Sequence, residues 1–145
     1  MAADALLAAW VEAAEGRGVS ARPCPDGVLL EIEAMGSRFV GLRHGPIEQL
    51  AASLPGVSPE PSVLVSLMRT HAFTLGARAA VDRQGALIVV SDRPSRDLSV
   101  PAARLGWLMQ SQVVANAMLS VAAMAAARGE AVGHDEAQTL FAAAQ

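Results

Sequence analysis

Phe73-Thr-Leu-Gly-Ala-Arg-Ala-Ala-Val81, then Asp82-Arg-Gln-Gly85, then Ala86-Leu-Ile-Val-Val90: this stretch decides the fold. Two apolar runs flank four residues that begin with Asp and end with Gly, the signature of a β-hairpin. Polar Asp92-Arg-Pro-Ser-Arg-Asp97 follows as a loop. Ser99 then stands as a cap for a helix whose first turn holds Pro101. From Leu105 to Ala127 no residue is charged. A helix apolar nearly all round needs more than one face buried. The hairpin's sheet covers one side, and what covers the other is the question that leads to function.

Working outward, Leu6, Leu7, Trp10, Val11 and Ala14 recur at spacings of three and four and predict a first helix over Asp4–Glu15, ended by Gly16 and Gly18. Val19–Cys24 reads as a short strand interrupted by Pro23 and Pro25. Val28–Glu33 alternates, with Leu30 and Ile32 on one side and Glu31 and Glu33 on the other. After a turn at Met35-Gly36-Ser37, Arg38–Leu42 returns, with Arg38 and Arg43 facing Glu33 and Glu31. Ile47, Leu50 and Leu54 suggest a helical turn over Pro46–Leu54. Pro55–Pro61 is loop, and Ser62 caps a helix running from Val63 to Thr70. Beyond the long helix, Asp135 caps a short helix over Glu136–Ala144. The expectation is a single α+β domain, 1–145, in the order α-β-β-β-α-β-β-α, with an antiparallel sheet of about five strands. Residues 129–145 form a C-terminal extension with its own short helix.

Net charge is −3, so no basic field recruits nucleic acid, and three Phe with no Tyr give bases little to stack on. Cys24 is the only cysteine, which excludes an internal disulfide. His44, His71 and His134 are scattered without ligand spacing, so neither metal nor other cofactor is expected. The N-terminus lacks the layout of a secretory signal, which favours the cytoplasm. The chargeless stretch is long enough to cross a bilayer, yet Gln110, Ser111, Gln112, Asn116 and Ser120 interrupt it, and burial in protein is the better account. No phosphate loop, dinucleotide fingerprint, nucleophile elbow or HExxH is present.

Three segments together meet a known pattern: Leu64-Val-Ser-Leu-Met-Arg-Thr-His-Ala-Phe73, the hairpin Ala77–Val90, and Leu98-Ser-Val-Pro-Ala-Ala-Arg-Leu105. Over roughly Ala5–Ala125 the chain resembles the type III secretion chaperone-like superfamily, which holds the class I secretion chaperones and the YbjN-type bacterial sensory transduction regulators. Leu67-Met68 stand where that group has a leucine pair, and His71 stands at its asparagine. The resemblance implies a small, non-enzymatic, homodimeric protein-binding domain. Its partner is an effector or other protein segment, bound along apolar surface and exposed strand edge.

On this reading the long helix makes the dimer. Trp107, Gln110, Val114, Met118 and Val121 share one helical face and are the candidate interface, while Leu105, Leu108, Met109, Gln112 and Leu119 pack inward. If instead one thick core buries both sides, the helix needs no second copy. The alternative from another class is a small enzyme or ligand-binding protein. Its pocket lies between the sheet and the long helix, lined by His71, Asp92 or Cys24.

Overall fold

A computed structural model describes residues 2–74 and 76–144. The elements run α1 Ala2–Ala14, β1 Val19–Cys24, β2 Gly27–Ile32, β3 Ser37–His44, β4 Ile47–Ser53, α2 Pro61–Thr70, β5 Ala77–Val81, β6 Leu87–Pro94, a 3₁₀ turn Ser95–Leu98, α3 Pro101–Arg128 and α4 His134–Ala144. The fold is α+β, with four helices and one six-stranded antiparallel sheet ordered β1-β2-β3-β4-β6-β5.

The sixth strand is β4. Ile47–Ser53 is not a helical turn but a strand whose inward positions are Glu48, Leu50 and Ala52. Ile47, Leu50 and Leu54 matched helical spacing because the true period of two places a carboxylate, Glu48, among the inward side chains. β4 also takes Arg43: the β3–β4 register sets Arg43 opposite Glu48, and the β2–β3 register sets Arg38 opposite Glu31. The expected pairs with Glu33 and Glu31 are each displaced by this register.

Other boundaries shift for local reasons. α2 starts at Pro61, with Glu60 as its cap residue and no side-chain capping bond, while Ser66 Oγ donates to the Ser62 carbonyl. α3 starts at Pro101, and the Val100 carbonyl receives the Arg104 amide. Ser99 closes the preceding 3₁₀ turn instead. α4 begins one residue before Asp135, with the Ala137 amide donating to the Gly133 carbonyl. β5 begins only at Ala77, since His71–Phe73 is a turn; Leu75, in the expected strand, lies outside the described residues. β6 extends to Pro94 and absorbs half of the expected polar loop. The Asp82–Gly85 turn is as read: Asp82 Oδ1 accepts from the Gln84 and Ala86 amides, and Gly85 sits at φ +80°.

The chain divides into two compact units, Met1–Ala52 with Ser91–Gln110, and Ser53–Val90 with Ser111–Gln145. In the first, α1 packs on β1, β2 and β3 and buries Leu6, Trp10 and Ala14. In the second, α2, α4, β5, part of β6 and most of α3 enclose Val63, Leu67, Leu87, Met118, Val121, Ala125 and Phe141. Phe73 meets Phe141 edge-on at 5.0 Å there, and Arg69 donates to the Val132 carbonyl.

Pro101–Arg128 has the length and apolar composition of a bilayer span, and half of its most apolar window is buried inside the chain. Within α3, Trp107 is 4% exposed and Met118 and Val121 are fully buried. These three members of the expected dimer face are core residues of this chain. Val114 is half-buried against the second unit's core, and only Gln110 of the five is exposed. The expected inward set holds in part: Leu108 and Gln112 are buried, whereas Leu105, Met109 and Leu119 are half-buried. Burial within each unit therefore covers most of what the sequence left for a partner.

Candidate interaction surface

The first unit contains a buried polar cluster around Glu48 and Arg104. Glu48, 1% exposed, accepts from both terminal nitrogens of Arg104, at 2.5 and 3.0 Å, and from Arg43 at 3.1 Å. The Arg104 guanidinium lies 4.9 Å from the centroid of the Trp10 ring. Trp10 stacks on Trp107 at 6.2 Å, and Trp107 Nε1 donates to Ser91 Oγ at 2.9 Å. Burial works against the charged form of Glu48. The hydrogen bonds and charge of Arg104, then those of Arg43, outweigh it and hold the carboxyl below its ordinary value. A carboxylate kept charged and saturated by two guanidinium groups is a poor proton carrier. Its work is to tie the first turn of α3 to β4. Hydropathy patterning missed the cluster because it reads Glu48 and Arg104 as surface residues; a bidentate Arg–carboxylate pair needs tertiary contact to become visible.

The residues suggested for a small-molecule site are each engaged separately. His71 Nε2 accepts the Ala79 amide of β5 at 3.0 Å, and Asp92 Oδ1 accepts from Gln49 at 3.0 Å. Burial first, and Arg78 second, push the His71 imidazole down from its ordinary value, which keeps Nε2 free to accept. The histidine thus serves the strand after it, not the carbonyls of the helix before it. Cys24 is half-buried at the end of β1, opposite Gly27. Among the described residues no three His, Cys, Asp or Glu side chains come together as a metal-binding group.

What the fold offers outward is strand edge. β1 and β5 end the sheet, each with one neighbour. Beside β1 runs an open groove of about 610 Å³, walled by Val11, Ala14, Glu15, Val19, Ala21 and Glu33. Val11, which the sequence placed on the buried face of α1, is 48% exposed there. On the other flank of α1, Glu12, Arg17, Ala102, Leu105, Gly106 and Met109 line a second groove of about 480 Å³. Neither groove has His71, Asp92 or Cys24 in its wall.

The β1–β2 hairpin is held tightly where it turns. Gly27 takes φ +156°, and a Cβ built on it would lie 2.2 Å from the Gly41 carbonyl oxygen of β3. Gly41 in turn leaves room for Trp10, since its own Cβ would meet Trp10 Nε1 at 3.1 Å. The close approach of β2 to β3, next to the edge strand, is therefore set by backbone contact as well as by side chains.

No protein-family description, curated protein or solved structure matches this chain.

Proposed function

We propose that this chain is a non-enzymatic protein-binding domain, a cytoplasmic homodimer that takes a segment of a partner polypeptide. This is the role implied by its sequence resemblance to secretion chaperones and their regulator relatives. The observation that carries the reading is the open sheet: β1 and β5 each leave one side without a strand partner, and β1 lies along a groove with an apolar wall. An exposed edge of this kind binds extended polypeptide through main-chain hydrogen bonds, with pockets for alternate side chains. The sixth strand sits inside the sheet, so it departs from the five-strand pattern of the resembling group and leaves the edges open.

The dimer surface moves from the expected stripe to the outward side of α3 in the second unit. Val113, Asn116, Ser120 and Ala123 are exposed at spacings of three, four and three. That is the interval of a two-helix seam, and small side chains let two backbones approach. Gln112 Nε2 donates to Asn116 Oδ1 at 2.9 Å and holds the amide on this side. Native mass spectrometry after mild purification tests the whole reading. The expected species is a dimer that retains polypeptide; a monomer at high micromolar concentration, or a stoichiometric small molecule, overturns it.

A further inference from the structure

We propose that the β1 edge takes an extended, basic segment of a partner polypeptide as an added strand alongside Val19–Ala21; this rests on the protein-binding reading and narrows it to one edge and one chemistry.

The backbone argument comes first. The Glu33 amide donates to the Gly18 carbonyl at 2.9 Å, which makes these two a bonded pair at the start of the β1–β2 ladder. Bonded and non-bonded pairs alternate along an antiparallel ladder. With Ser20 opposite Glu31, Arg22 opposite Leu29 and Cys24 opposite Gly27, those three β1 residues turn their amide groups toward β2. Val19, Ala21 and Pro23 turn theirs outward. Pro23 has no amide hydrogen, so its place at an outward position leaves the ladder whole, and it ends the usable edge. Val19 and Ala21 each keep an N–H and a carbonyl for an incoming strand. The proline guards one end of the edge against indiscriminate pairing, and the other end stays open.

The groove supplies the side-chain contacts. Alternate residues of an added strand fall on the α1 side, where Val11 and Ala14 form an apolar wall. The charge comes from Glu15 and Glu33 at the open end. Both are exposed, and neither forms an ion pair among the described residues. Of the nearby cations, Arg22 bonds Glu31 at 2.6 Å, and Arg17 lines the groove on the other flank of α1, which Glu15 also borders, without forming an ion pair with Glu15. Two carboxylates that form no ion pair among the described residues, beside an apolar wall, select Arg or Lys alternating with apolar residues. They disfavour an acidic strand by like-charge repulsion.

The test uses two fluorescein-labelled eight-residue peptides, one alternating Arg and Val, the other alternating Glu and Val, titrated with the full chain by fluorescence polarisation. The Arg–Val peptide is expected to bind at least about tenfold more tightly than the Glu–Val peptide, with affinity falling as salt rises. Ala21→Pro removes one outward N–H and no β1–β2 bond, and is expected to weaken the Arg–Val peptide by about tenfold. Glu15→Gln with Glu33→Gln, which leaves every backbone bond in place, is expected to weaken it several-fold and to flatten the salt dependence. Equal binding of the two peptides overturns the basic partner. Binding unchanged in both variants overturns the β1 site while leaving polypeptide binding elsewhere intact. A dimer split by Ala21→Pro gives the edge to a second copy and likewise overturns the proposal. Failure of the broader reading is separate, and appears as a monomer without polypeptide in native mass spectrometry.

Discussion

Replacing Arg104 with alanine removes two of the three hydrogen bonds that hold the Glu48 carboxylate, which is 1% exposed. Breaking a buried ion pair on one side costs about 3–5 kcal/mol, because the remaining charge is left desolvated. Arg43 stays at 3.1 Å with its side chain 26% exposed, which keeps the loss near the lower end. The guanidinium lost from the face of Trp10 adds about 1 kcal/mol. The expected total is about 4 kcal/mol, a large share of the 5–15 kcal/mol typical of a domain. With a urea slope of about 2 kcal/mol per M, the midpoint falls by about 2 M, read by far-UV circular dichroism. The pH profile gives a second readout. In the wild type, Glu48 is lowered from its ordinary value of 4.5, so its contribution is fully present above that value and disappears as pH falls through the lower folded-state value. In Arg104→Ala, burial is less opposed, and the acid limb of the stability curve moves to higher pH. Glu48→Leu together with Arg104→Met is expected to restore most of the loss, since an apolar pair leaves no charge unpaired. An Arg104→Ala protein within 1 kcal/mol of wild type, with an unmoved acid limb, refutes the assignment of this pair as the tie between α3 and β4.

Gly27→Ala places a methyl against the Gly41 carbonyl and is expected to destabilise by about 1–3 kcal/mol or more, measured by thermal melting, whereas Gly36→Ala, with open space around its Cβ, adds only the backbone strain of a side chain at φ +64°. Gly85→Val forces a β-branched residue to φ +80°, and a melting temperature equal to wild type contradicts the turn. The folded state lowers His71 from its ordinary value of 6.5, so its contribution is present above about that pH and is lost as pH falls below it; His71→Asn, which cannot titrate, is expected to lack that part of the slope. Val113→Glu sets like charges across the proposed α3 seam and is expected to give monomers by light scattering with the melting temperature nearly kept; an intact dimer removes this face.

The hairpin at Asp82–Gly85 was legible because its chemistry is local: one aspartate carboxylate bonds two amides a few residues away. The long helix was legible because twenty-odd uncharged residues at high helix propensity leave few alternatives. Which side of it faced outward was not legible. Its residues are apolar on every side, so sequence alone offers no contrast between Met118 at zero exposure and Val113 at 36%. The same weakness hid β4, where an inward glutamate broke the expected alternation and is held there by Arg43 across the hairpin and by Arg104, distant in sequence. Edge status was also invisible, since strand order depends on pairings across the whole sheet. Pro23 was the single local hint, as proline is tolerated on an edge strand with its missing N–H outward.

The stacked pair Trp10 and Trp107 makes the chain optically lopsided. Both indoles belong to the unit of Met1–Ala52 and Ser91–Gln110, and the chain has no tyrosine. Tryptophan emission therefore follows one unit alone, while far-UV ellipticity is weighted by α2, α4 and most of α3 in the other. Strand β6 and helix α3 each run unbroken through both units, so melting one unit on its own means fraying a continuous helix at about Gln110. Superposed emission and ellipticity curves then measure how strongly that helix couples the two halves, and any gap between the curves gives the free energy of opening one while the other stays folded.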